Sequence, residues 1–85
     1  MQVKLVYFAW LRERIGTGEE HRDIPEHVKT AGELVEWLAT LGDEYAAALA
    51  VPSVIRVAVD QEIILADEYL GTPTEIALFP PMTGG

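Results

Sequence analysis

The stretch Thr30-Ala31-Gly32-Glu33 constrains this chain more than any other, because it specifies where a helix must start. A Thr at the N-cap accepts the backbone N–H of the third helical residue, and a Glu at that position reaches back to the N-cap amide. Two orphan donors are thereby satisfied reciprocally. Behind this start, Ala31, Leu34, Val35, Leu38 and Leu41 recur at helical spacing and line one face. A single apolar stripe must be buried against another layer, and the rest of the sequence supplies sheet. Gly42 stands where a left-handed residue would close the helix. Asp43 to Ala50 predicts a second, alanine-rich helical segment ending at Pro52.

Strand patterns lie on both sides of that helix. Val3 to Phe8 is rich in β-branched and aromatic residues, with Val3, Leu5 and Tyr7 on one face and Lys4, Val6 and Phe8 on the other. Ala9 to Ile15 predicts a short helix stopped at Gly16, and Glu20 to Ile24 a weaker strand closed by Pro25. Ser53 to Val59 alternates, with Ile55, Val57 and Val59 opposite Arg56 and Ala58. A turn at Asp60-Gln61 leads to a short strand over Glu62 to Leu65. Glu75 to Phe79 is the last strand, with Ile76 and Leu78 opposite Ala77 and Phe79. The first two strands are separated by too short a stretch for a parallel crossover, so they pair antiparallel. This α+β order matches the ubiquitin-like β-grasp: a mixed sheet of about four to five strands packed on one main helix. The 85 residues make one such domain, expected over residues 1–80, with residues 81–85 an extended C-terminal tail.

Composition removes whole classes of chemistry. With no Cys, there is no disulfide, no Cys-ligated zinc and no Cys nucleophile. Ser53, the only serine, lacks nucleophile-elbow glycines, and there is no Gly-rich phosphate loop. His21 and His27 fall outside metal-binding spacings and read as surface residues, so no metal is expected. The adjacent pairs Glu19-Glu20, Asp43-Glu44 and Asp67-Glu68 read as solvated acids, since neighbouring residues do not share a face. Net charge is −8, with the bases scattered, which disfavours nucleic acid and anionic membrane and favours basic protein surfaces. The apolar run Leu5 to Leu11 is far shorter than the roughly 20 residues of a membrane span, and a cytoplasmic protein is expected. Trp37 is expected to widen the buried helix face, and Trp10 to cap the core.

Two features remain that could serve a function. Alternation places Phe8 with Val6, and Phe79, on the sheet face away from the helix, on strands that neighbour each other in a β-grasp. They would form an exposed apolar patch of the kind that marks interaction sites. Beyond Phe79 the chain reads Pro80-Pro81-Met82-Thr83-Gly84-Gly85. The prolines fix φ and cannot extend sheet pairing, so the chain leaves the sheet stiff and extended. The terminal glycines lack Cβ atoms and suit a channel too narrow for side chains. A carboxylate there is ionised at neutral pH and must be activated, as by adenylation, before it can act as an acyl donor.

The whole chain resembles the small sulfur-carrier subunits of molybdopterin synthase, of the MoaD type. The resemblance rests on Val6-Tyr7-Phe8-Ala9 with Leu11-Arg12-Glu13 and Gly16, on Val57-Ala58-Val59, and most specifically on the closing run Glu75 to Gly85. Two loops depart from the family: Gly71-Thr72-Pro73-Thr74 replaces an Asp-Gly-Asp-type turn, and Asp60 stands at a common Asn. The resemblance implies that a ubiquitin-activating-type adenylyltransferase uses ATP to activate the Gly85 carboxylate. A sulfur donor acting through that enzyme then leaves a thiocarboxylate. The charged tail enters the large subunit of molybdopterin synthase and gives its sulfur to a pyranopterin precursor of the molybdenum cofactor. Gly85 is then the carrier, Met82, Thr83 and Gly84 fit the channel, and Pro80 and Pro81 direct the tail. Phe8 and Phe79 dock partners, with Arg12 as a polar contact beside them. No cofactor is bound by the chain itself, and it is non-catalytic alone. Rival readings are a sulfur carrier for thiamin, amino-acid or tRNA thiolation, a ubiquitin-like protein modifier, or a noncovalent adaptor.

Overall fold

The computed structural model describes residues 1–81. Met82, Thr83, Gly84 and Gly85, the tail residues singled out above, lie outside the described residues. The described residues form β1 (Gln2–Tyr7), α1 (Trp10–Ile15), β2 (Glu19–Asp23), α2 (Ala31–Leu38), α3 (Asp43–Ala48), β3 (Arg56–Val59), β4 (Glu62–Ile64) and β5 (Glu75–Phe79). The strands join in one sheet of order β2-β1-β5-β3-β4. Central β1 and β5 are parallel, and the other neighbours are antiparallel. The chain is therefore a ubiquitin-like β-grasp, as its element order predicts.

The helix start is built as the sequence dictates. Thr30 Oγ1 accepts from the Glu33 amide at 3.2 Å, and Glu33 Oε1 accepts from the Lys29 and Thr30 amides at 3.0 Å each. Those two backbone donors hold the Glu33 carboxyl below its ordinary pKa. Two further orphan donors of α2 reach the loop after β4: Ala31 N–H bonds Glu68 O at 3.1 Å and Gly32 N–H bonds Ala66 O at 2.8 Å. Gly32 permits that approach, since a Cβ there would stand 3.2 Å from the Ala66 oxygen. Leu34, Val35 and Leu38 of α2 are buried in one cluster with Val3, Leu5 and Tyr7 of β1, Val57 of β3, and Ile76 and Leu78 of β5. Each fully buried leucine contributes about 1.5–3 kcal/mol. Trp10 and Trp37 pack against the edge of this core.

Three local expectations change. Gly42 does not close α2: its φ of 165° is extended backbone, and it is the N-cap of α3. The last carbonyls of α2 are satisfied another way. The Thr40 and Leu41 amides bond Trp37 O and Leu38 O, and the Thr40 hydroxyl donates to Trp37 O at 2.6 Å. With these carbonyls occupied, no left-handed residue is required. The strand expected from Ser53 begins only at Arg56, because Pro52 opens a 3-10 turn over Pro52–Val54. Finally, Glu20 is not a solvated acid but the hub of a polar network, described below.

The two loops that depart from the family touch each other. Asp60 and Gln61 form a two-residue hairpin turn with φ of 47° and 73°, between paired Val59 and Glu62. Asp60 Oδ1 accepts from the amides of Thr74 at 3.1 Å and Glu75 at 3.0 Å. The Asp60 amide in turn donates to Glu75 O at 2.9 Å. One side chain thus ties the β3–β4 turn to the start of β5, the strand that carries the tail.

Candidate functional site: the open sheet face and the tail exit

Strand pairing places the outer face in rows. Val6 pairs with Ala77, Ala77 with Ala58, and Ala58 with Ile63, so these four lie across the sheet opposite the helix. One step toward the tail, Phe79 pairs with Arg56, and the Phe8 amide bonds Leu78 O at 3.1 Å. The Phe8 and Phe79 rings stand 5.5 Å apart at 57°, a tilted aromatic pair. Phe8 is 47% exposed, and Phe79 and Val6 are half-buried. The short helix α1 does not cover this patch. Its apolar residues Leu11 and Ile15 turn into the core instead.

The sequence reading of this face was too narrow. Ile63 is 63% exposed and extends the apolar strip to the far edge of the sheet, with Ala58 and Ala77 as its flat, buried middle. The signal was present in the alternation of β4, but only the pairing of four strands brings Ile63 onto the row of Val6. Neighbouring Leu65 is also exposed.

Arg12 projects from α1 at the border of the patch and is exposed. Its side chain lies over Gly18, where a Cβ would stand 3.1 Å from Nε. Together with Val6, Phe8, Thr17 and Glu19 it lines a cleft of about 350 Å³. Pro80 is buried and Pro81 half-buried, so the chain leaves β5 beside Phe8 and Phe79 from an anchored proline. The structure therefore gathers Phe8, Arg12, Phe79, Pro80 and Pro81 at one end of the sheet.

Beneath the patch lies the polar network that sequence alone did not disclose. The Tyr7 and Tyr45 hydroxyls both donate to Glu20 Oε2 at 2.7 Å, and Arg22 Nε donates to Glu20 Oε1 at 3.1 Å. Arg22 Nη2 also donates to the Tyr45 oxygen at 3.1 Å. Burial, and then the bond to ionised Glu20, pushes the Tyr7 phenol far above its ordinary pKa. Tyr45 is raised, chiefly by burial, and Arg22 is raised, chiefly by its bond to Tyr45. The network joins β1, β2 and α3 directly behind the residue that precedes Phe8. It ties these three elements together on the helix side of the sheet. His21 and His27 are exposed. No three His, Asp or Glu side chains cluster as a metal site among the described residues.

Fold and site define a class: a small ubiquitin-like protein with one open apolar sheet face beside the Pro80-Pro81 segment that follows its last strand. The chain belongs to the ThiS family, whose pattern it matches over residues 5–85. It is similar to proteins named molybdopterin synthase sulfur carrier subunit from Escherichia coli and Haemophilus influenzae. They are 32% and 34% identical to it over 98% of this chain and 99% of each relative. Among solved structures, the small archaeal modifier protein 1 of Haloferax volcanii shares the fold. Its TM-score is 0.70 at 24% identity over 100% of both chains. None of the described helices is long and apolar enough to cross a membrane.

Proposed function

We propose that this protein is a sulfur carrier that serves molybdopterin synthase as its small subunit. One observation carries the reading. The anchored Pro80-Pro81 exit and the apolar Phe8/Phe79 face occupy the same end of the sheet, in a chain 32% identical to a carrier subunit of that name. A partner that grips the face receives the tail at a set distance and direction. Pro81 to Gly85 span at most about 16–18 Å when extended, so the reacting carbon works well away from the domain.

The chemistry follows from the carboxylate. An adenylyltransferase of the ubiquitin-activating type transfers AMP from ATP to the Gly85 carboxylate and releases pyrophosphate. The outer sulfur of a persulfide on that enzyme displaces AMP and gives an acyl disulfide. A second thiol of the partner then attacks the enzyme-side sulfur, so that the S–S bond to the carrier breaks, a disulfide forms on the partner and a C-terminal thiocarboxylate leaves. The tail then enters the large subunit, where the sulfur passes to a pyranopterin precursor. Gly84 and Gly85 present no side chains to the channel, while Met82 and Thr83 fit its mouth. Catalytic acids, bases and the nucleotide site belong to the partners. This chain supplies the face that docks, the exit that aims, and the carrier atom.

The test is reconstitution with the adenylyltransferase, ATP, a sulfur donor and the large subunit. Intact mass should show one oxygen replaced by sulfur at Gly85, and deletion of Gly84-Gly85 should abolish pterin conversion. Full activity of the truncated chain would refute the proposal. Lysine-linked adducts would identify a protein modifier instead, and turnover only in a thiamin-thiazole assay would assign a different sulfur pathway.

A further inference from the structure

We propose that Ala9 is a positioning residue, whose strained backbone holds Phe8 and Arg12 in the geometry the partner reads. The inference rests on the docking role given above to the Phe8/Phe79 face. Ala9 has φ 54° and ψ −134°, a region that glycine enters freely and that a residue with a Cβ occupies only at a cost. The Leu11 amide bonds Phe8 O at 3.2 Å, which closes a tight turn with Ala9 as its first central residue. These dihedrals are those of a type II′ turn, where glycine is the residue of choice at that position.

The surroundings over-determine the strain. On one side the Phe8 amide is held by Leu78 O at 3.1 Å. On the other, Leu11 is wholly buried and Arg12 N–H bonds Ala9 O at 3.1 Å. Ala9 itself is exposed, and α1 has no side-chain cap at this position. Neither core packing nor a capping bond therefore explains an alanine here. What the turn does is set two side chains at once: Phe8 against Phe79, and Arg12 over Gly18. The Cβ closes off the broad basin that glycine would explore, so the two contacts are presented together rather than as a distribution.

This predicts opposite signs for stability and binding, which a merely structural role would not produce. In Ala9→Gly, relief of strain should raise Tm by about 4 °C or more. The same change should weaken binding to the large subunit about two- to fivefold, the entropy of a freed glycine. Exchange of the Phe8 amide should quicken although the whole domain is more stable. The measurements are calorimetric titration against the large subunit, thermal unfolding and hydrogen exchange, with Phe8→Ala in parallel. Unchanged or tighter binding by Ala9→Gly, or a lower Tm, overturns the inference while weak binding by Phe8→Ala leaves the docking role standing. Wild-type affinity in Phe8→Ala removes the docking role, and this inference with it.

Discussion

Replacing Glu20 by Ala should destabilise the domain far more than loss of a partly exposed acid suggests. In the native state one carboxylate oxygen accepts both the Tyr7 and Tyr45 hydroxyls at 2.7 Å. Tyr7 is only 1% exposed, so its hydroxyl cannot turn to water when the carboxylate is gone. An orphaned buried hydroxyl costs about 1–3 kcal/mol. Tyr45 keeps Arg22 as a donor at 3.1 Å but loses its acceptor, a net loss of about 0.5–1.5 kcal/mol. The sum is about 2–4 kcal/mol, and in a domain of this size each kcal/mol moves Tm by about 4–8 °C. Thermal unfolding followed by circular dichroism should therefore show a midpoint lower by roughly 10–30 °C. The cause is separable by a double-mutant cycle. In the Tyr7→Phe background the Tyr7 hydroxyl is absent and only Tyr45 loses its acceptor, so Glu20→Ala should cost about 1–2 kcal/mol less. Glu20→Gln, which keeps an accepting oxygen, should be milder than Glu20→Ala. A Tm shift under about 2 °C, or equal costs in both backgrounds, would refute the reasoning.

Ile63→Glu places a charge on the exposed end of the apolar strip. It should leave Tm nearly unchanged while weakening large-subunit binding at least about tenfold in calorimetry, or about 1.4 kcal/mol. Asp60→Ala removes the acceptor of the Thr74 and Glu75 amides at the start of β5 and leaves a non-glycine residue at φ 47°. Urea unfolding should report a loss of about 2–3 kcal/mol, with Asp60→Asn milder because Asn tolerates the left-handed region. Stability should also fall at both ends of the pH scale. Tyr7 is raised above its ordinary value of 10.0, so its contribution is complete below pH 10 and is lost as pH climbs beyond it; Tyr7→Phe should flatten that alkaline limb of Tm against pH. Glu33 is lowered below 4.5, so its contribution holds above that pH and is lost as pH falls through the lower folded value; Glu33→Gln should flatten the acid limb.

Much of the architecture was legible because it is local. The capping box, the α2 stripe from Ala31 to Leu38 and the alternation of β1 and β5 each follow from interactions within a few residues and stand as expected. Leu41, expected on that stripe, falls beyond the end of α2 and is half-buried. Phe8 and Phe79 were legible as a patch because a period of two assigns faces without knowledge of the register. The helix end at Gly42 was misread because glycine signals conformational freedom, while the actual closure came from backbone bonds and the Thr40 hydroxyl. Glu20 was misread because adjacency in sequence says nothing about Tyr45, which stands 25 residues away on another element.

The sequence by itself determined the β-grasp pattern, the absence of Cys chemistry and the end of the last strand at Pro80-Pro81, since each depends on residue type and short spacing. Only the tertiary structure decided that Ile63 joins Val6 in one apolar row and that one carboxylate serves two tyrosines. It also decided that Ala9 carries a strained turn beside the Phe8/Phe79 face. The physical reason is common to all three. Register, shared acceptors and backbone strain are properties of segments brought together, and no single segment encodes its partner.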